Sequence, residues 1–139
     1  MKIRRLVIAA SAIVLLTGCS VFLKDKAAAD KAVVDFHQQF NDDKTADIYT
    51  ASHSGFKAAS TQQEFTDLMA AVRRKLGKVV QSTNVGFNVR SFNLVTTVYI
   101  NQQTTFEQGK GIESFTFQMS NGQAVLQGYH ISSKELILK

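Results

Sequence analysis

The sequence predicts an α+β fold, with N-terminal helices packed on one face of a curved antiparallel sheet of about four strands. Three observations predict it. Apolar residues recur at helical spacing up to Leu76 and alternate with a period of two from Lys78 onward. Gly77 closes the last helical stretch, where a left-handed cap is wanted. Asn121-Gly122 stands between two strand-like runs, a strong hairpin signal.

Taken in order, Asp25–Phe40 reads as an amphipathic helix with Ala29, Val33, Phe36 and Phe40 on one face. Asn41-Asp42-Asp43-Lys44 is a polar break. Thr45–Thr50 is a short second helix, and Phe56–Ala59 a further turn. Thr61-Gln62-Gln63-Glu64 is a capping box. It opens helix Gln62–Leu76, which gathers Phe65, Leu68, Met69, Val72 and Leu76 on one side. Arg73, Arg74 and Lys75 suit the negative end of that helix. Val85, Phe87 and Val89 then alternate with Gly86, Asn88 and Arg90, and Leu94–Phe106 is a long run rich in Val, Thr and aromatic residues. Glu107–Lys110 is a turn, and Ile112–Met119 and Ala124–Ile131 are the arms of the last hairpin.

These loops set a register. With Asn121 and Gly122 as loop residues, Met119 opposes Ala124, Phe117 opposes Leu126, Phe115 opposes Gly128 and Glu113 opposes His130. A four-residue loop at Glu107–Lys110 pairs Gln102 with Phe115, Ile100 with Phe117 and Val98 with Met119. Both registers put Val98, Ile100, Phe115, Phe117, Met119 and Leu126 on one face. Thr97, Tyr99, Asn101, Ser114, Thr116, Gln118 and Gln127 take the other, which can face water. A single bulge would shift this pairing.

The chain has 139 residues, enough for one domain whose core needs neither disulfide nor metal. With one Cys, no Pro and no Trp, a disulfide scaffold and a Cys-based zinc site are excluded. The net charge of +5 falls to +2 without Lys2, Arg4 and Arg5. No concentrated basic stripe remains, so nucleic acid is not an expected partner.

The first residues carry an address. Met1–Arg5 is basic, and Leu6–Leu16 is apolar apart from Ser11. Eleven residues are too short to span a bilayer but fit the core of a secretory signal. The run ends in Leu16-Thr17-Gly18-Cys19, which resembles the lipobox of bacterial lipoproteins. The resemblance implies cleavage after Gly18, acylation of Cys19 and a bilayer as partner. Ser20, rather than Asp, implies delivery to the outer membrane, facing the periplasm. Residues 1–18 are then the signal, 19–26 the lipidated anchor and short tether, and 27–139 a single α+β domain. Val21-Phe22-Leu23, next to the lipid, either dip into the interface or pack under the first helix.

The order of pieces is also similar to a family of small secreted bacterial proteins. The pieces are Ala32–Phe40, Phe56-Lys57-Ala58-Ala59-Ser60 leading into Thr61–Leu76, and Leu76-Gly77-Lys78-Val79. They continue with Thr105-Phe106-Glu107, Gly122-Gln123 and Gly128-Tyr129. Over Ala29–Ser132 the chain resembles the domain-of-unknown-function family 4019. The resemblance implies a cystatin-like or nuclear-transport-factor-like cone and little about activity. The chain departs from it at Ala124, where such domains commonly carry Trp.

In such a cone, Gln102, Thr104, Glu113 and His130 share the core-facing side at the end nearest Glu107–Lys110, a candidate pocket mouth. A Glu beside a His can act as a general base or anchor a polar ligand; equally, the two can form a plain rim pair. Asp35 and His37 flank Phe36 and are expected to point away from the core, and Asp47 and Tyr49 carry no catalytic motif. Asn41, Asp42, Asp43 and Asp47 lack the order of a calcium loop. His37, His53 and His130 have no metal-ligand spacing, so neither a metal nor another cofactor is expected. Arg73, Arg74, Lys75 and Lys78 could touch anionic headgroups or another envelope component, and helix-end complementarity explains them as well.

The expected function is that of a lipid-anchored envelope protein: a non-catalytic accessory or protein-binding module, with an immunity or inhibitor lipoprotein as a variant. The alternative is a small-ligand-binding cone, its wall formed by Val98, Ile100, Phe115 and Phe117, with a hydrolase or isomerase less favoured.

Overall fold

A computed structural model describes residues 17–138. The basic start and the apolar run of the signal, Met1–Leu16, lie outside the described residues. The elements are α1 (Thr17–Asn41), α2 (Thr45–Ala51), α3 (Ser54–Ala59), α4 (Gln62–Leu76), β1 (Val79–Phe92), β2 (Val95–Phe106), β3 (Gly109–Ser120), β4 (Gln123–Ser132) and α5 (Lys134–Leu138). The four strands form one curved antiparallel sheet in the order β1-β2-β3-β4, with the helices packed on it. The fold is α+β, as the periodicity predicts.

The helix signals act where their chemistry places them. The Thr61 hydroxyl accepts from the Glu64 N–H at 3.2 Å, and the Glu64 carboxylate accepts from the Thr61 N–H at 2.7 Å, so α4 opens on a complete capping box. Gly77 closes α4 with φ +79. In α4 the buried stripe is Phe65, Met69, Val72 and Leu76; Leu68, expected on that side, is exposed. In α1 the stripe Ala29, Val33, Phe36 and Phe40 is buried. Residues 19–26, expected as anchor and tether, are continuous with α1. Among the described residues, no helix is long and apolar enough to cross a membrane.

The sheet corrects the expected register at two places. The β2–β3 loop has two residues, Glu107 and Gln108, because Phe106 pairs with Gly109. Ile100 therefore faces Phe115 and Val98 faces Phe117, a slip of two from the expected pairs. A slip of two keeps every side chain on its face, so the core assignment survives. Contacts distant in sequence hold the tight turn: Glu107 N–H donates to the Lys78 carbonyl at 3.0 Å and Gln108 N–H to the Leu76 carbonyl at 2.8 Å.

The second correction changes faces. Met119 pairs with Ala124 and Phe117 with Leu126, as expected, but Thr116 pairs with Gly128. Gln127 is thus an extra residue in β4, a bulge that inverts the side chains beyond it. Phe115 faces Tyr129 and Glu113 faces Ile131, while His130 pairs with Ser114 on the outer face. Two further irregularities, at Val79/Gln81 and Asn84/Gly86, leave Val80 and Val85 unpaired in β1.

The core joins α1, α2, α3 and α4 to the covered sheet face through Phe36, Phe40, Ile48, Phe56, Phe65, Phe115 and Phe117, among others. Asn41 fastens the end of α1 to the start of β1. Its amide donates to the Val79 carbonyl at 3.0 Å, and its oxygen accepts from the Val79 N–H at 2.9 Å. Arg73 lies over the Phe40 ring at 4.8 Å and donates to the Phe40 carbonyl, and Lys75 donates to the Leu136 carbonyl at 2.7 Å. Two members of the basic cluster therefore tie the chain to itself.

Candidate functional site

Five elements bring polar side chains to one buried carboxylate, Glu113, only 1% exposed. Strand pairing sets Gln102 opposite Glu113 and Ser82 opposite Thr104, so β1, β2 and β3 supply one row. The β4 bulge turns Tyr129 toward the same point, and α1 lowers His37 onto it from above.

The hydrogen bonds converge on both carboxylate oxygens. The Tyr129 hydroxyl donates to Oε1 at 2.7 Å. The Thr104 hydroxyl donates to Oε2 at 2.5 Å, and His37 Nε2 lies 2.7 Å from the same oxygen. Ser82 Oγ lies 3.0 Å from Thr104 Oγ1 and 3.1 Å from Gln102 Oε1. Since the Thr104 proton goes to Glu113, the single Ser82 proton serves either Thr104 or Gln102. Aromatic rings enclose the cluster: Tyr129 stacks on Phe36 at 4.9 Å and lies 5.2 Å from Phe115. Burial first, and then the neighbouring Glu113 carboxylate, push the Tyr129 phenol well above its usual range. It stays a donor across the physiological range.

Gln102, Thr104 and Glu113 are brought together and buried, at 6%, 0% and 1% exposure. His130 is not among them. It is exposed on the far face, because the bulge at Gln127 reverses its direction. The expected Glu113–His130 pair is replaced by Glu113 with His37 and Tyr129. His37, expected to point into solvent, is 8% exposed. The signal was present: His37 stands four residues after Val33 and eight after Ala29, inside the buried arc of α1. Asp35 is directed to the side, paired with Lys31 at 2.5 Å. Asp47 is exposed, and the Tyr49 hydroxyl donates to the Ser60 carbonyl at 2.8 Å.

The chemistry this arrangement offers is that of an internal tie. A general base needs a free lone pair directed at a substrate. Here the donors on Glu113 are the chain's own, and they join β2, β3, β4 and α1. The expected ligand wall, Val98, Ile100, Phe115 and Phe117, is 0–1% exposed beneath the helices. Phe117 of that wall borders a groove of about 230 Å³ between α1, α2 and β4, which Ala32, Phe36, Ile48 and Leu126 also line. Among the described residues, no three His, Cys, Asp or Glu side chains gather as metal ligands. His53 serves as the cap of α3, its Nδ1 accepting from Gly55 N–H at 3.0 Å. Cys19 is an exposed free cysteine near the start of α1.

Comparison of the chain with protein-family models, curated proteins and solved structures gives no match.

Proposed function

We propose that this protein is a lipid-anchored module of a bacterial cell envelope, held by acylated Cys19 at the periplasmic face of the outer membrane, and that it works by binding another envelope protein. The observation that carries the reading is Leu16-Thr17-Gly18-Cys19 behind a basic start and an apolar run. The position of Cys19 supports it: the thiol is exposed near the head of a helix whose next residues, Val21, Phe22 and Leu23, are exposed and apolar. Two or three acyl chains, at about 0.8 kcal/mol per buried CH₂, hold such a domain firmly. The non-catalytic part of the reading is supported by Glu113, whose partners belong to the chain itself. An immunity or inhibitor role fits the same anchored module.

The test is detergent-phase partition of the full-length protein made in a bacterial envelope with labelled palmitate. The wild type is expected in the detergent phase carrying label, and Cys19→Ala in the aqueous phase without it. Equal partition of the two, with no label, overturns the anchor. Crosslinking of the anchored protein in that envelope, read by mass spectrometry, tests for a stoichiometric protein partner.

A further inference from the structure

Two hairpins of this sheet use the same kind of tight turn with different residues. In the β3–β4 hairpin, Asn121 and Gly122 take φ 49 and φ 74, the pair such a turn favours. In the β1–β2 hairpin, Asn93 and Leu94 take φ 48 and φ 65. A leucine in the left-handed region is strained. It gains no packing in return, because Leu94 is fully exposed at 105%. Phe92 beside it is 78% exposed, and Val95 43%. A strained backbone that presents an apolar side chain to the outside points to a use for that side chain.

The direction of the tip identifies what it meets. Helix α1 and strand β1 run antiparallel and in step: Asn41 is bonded to Val79, Asp30 to Asn84, and Lys26 lies over the Phe87 ring. From Lys26 to Cys19 the helix rises about 10 Å. From Phe87 to Phe92 the strand rises about 16 Å in the same direction. The hairpin tip therefore reaches the level of Cys19 or just beyond it. The charges agree with a lipid surface. Residues 79–106 contain no carboxylate and one charge, Arg90, which is exposed below the tip. Lys24 is exposed on α1 at the same end, beside the half-buried Asp25. The α4 basic cluster lies at the opposite end, with Lys78 beside the Glu107 turn.

We propose that Phe92–Val95 is a second membrane contact, an apolar wedge seated at the headgroup boundary of the same bilayer that holds Cys19. Arg90 and Lys24 would face anionic headgroups. With Val21, Phe22 and Leu23 it makes two footings, which fix the orientation of the domain where a lipid tether alone leaves it free to swivel. The inference rests on the anchoring reading above.

The chain has no Trp, so one placed at the tip reports on it alone. Full-length acylated protein carrying Leu94→Trp is reconstituted into phosphatidylethanolamine/phosphatidylglycerol vesicles. Lys110→Trp, at the opposite end of the sheet, is the control. The tip Trp is expected to shift its emission to shorter wavelength and to be quenched by lipids brominated on their acyl chains, while the control does neither. Protein that floats with the vesicles but shows an unshifted tip Trp overturns the wedge and leaves the anchor standing. Protein that does not float overturns both. A blue shift without quenching, accompanied by a crosslinked dimer, gives the patch to a second copy and overturns the membrane assignment.

Discussion

His37 Nε2 on α1 lies 2.7 Å from Glu113 Oε2 on β3, across 76 residues of chain, with both side chains buried. This contact fastens the first helix to the middle of the sheet. Removing one partner of a buried pair leaves the others without a match and costs about 3–5 kcal/mol. Glu113→Ala is expected to lower stability by that amount in urea unfolding, since it also strands Tyr129 and Thr104. Glu113→Gln, which keeps the shape and one acceptor, is expected to cost less. His130→Ala, at an exposed position, is expected within about 0.5 kcal/mol of the wild type.

Tyr129 adds a pH signature. Its phenol is raised above the ordinary 10.0 by burial, then by Glu113. The unfolded chain loses this proton near pH 10, while the folded chain holds it longer. The contribution is therefore complete below pH 10 and declines as pH rises from there toward the folded value. Tyr129→Phe is expected to flatten the alkaline fall in stability. It also costs about 2 kcal/mol at neutral pH, for a lost hydrogen bond to a charged group. Urea midpoints measured from pH 7 to pH 11 check both.

The bulge at Gln127 makes a sharper prediction. Deleting Gln127 removes the extra residue while Leu126 stays opposite Phe117 and Gly128 opposite Thr116, so Tyr129 and Ile131 still face inward; one residue inserted after Gly128 instead turns Tyr129 and Ile131 outward and His130 inward. The insertion is expected to lose the cooperative thermal transition and the near-ultraviolet circular dichroism signal, and the deletion to keep both. An insertion variant that melts like the wild type would show that the facing of β4 beyond Gln127 does not set the site.

This residue also explains what the sequence could show. The capping box at Thr61/Glu64 and the Asn121-Gly122 turn are local chemistry, and both were legible. The apolar sheet face was legible because it depends on parity alone, which survives the two-residue slip at Glu107-Gln108. The candidate cluster was only partly legible. Gln102, Thr104 and Glu113 precede the bulge in the pairing and were placed together, whereas Tyr129 and His130 follow it and exchange faces. His37 was missed for a different reason. A neighbour of Phe36 is expected to point outward, yet the buried arc of α1 is wide enough to hold both.

Gly77 tests the joint between α4 and the sheet. Its φ of +79 is unfavourable for any other residue, and an added Cβ would stand 2.5 Å from Glu107 Oε2. That oxygen accepts from the Lys78 N–H at 2.8 Å. Gly77→Ala is expected to lose about 2 kcal/mol, read as a fall in the urea midpoint with an unchanged slope.

The most direct test of the central claim is the mass of the mature N-terminus, measured on protein extracted from a bacterial envelope. The account predicts a chain that begins at Cys19, heavier than its residues by two or three acyl chains and lighter by the residues of the signal. A chain that begins elsewhere, or at Cys19 with an unmodified thiol, would contradict it.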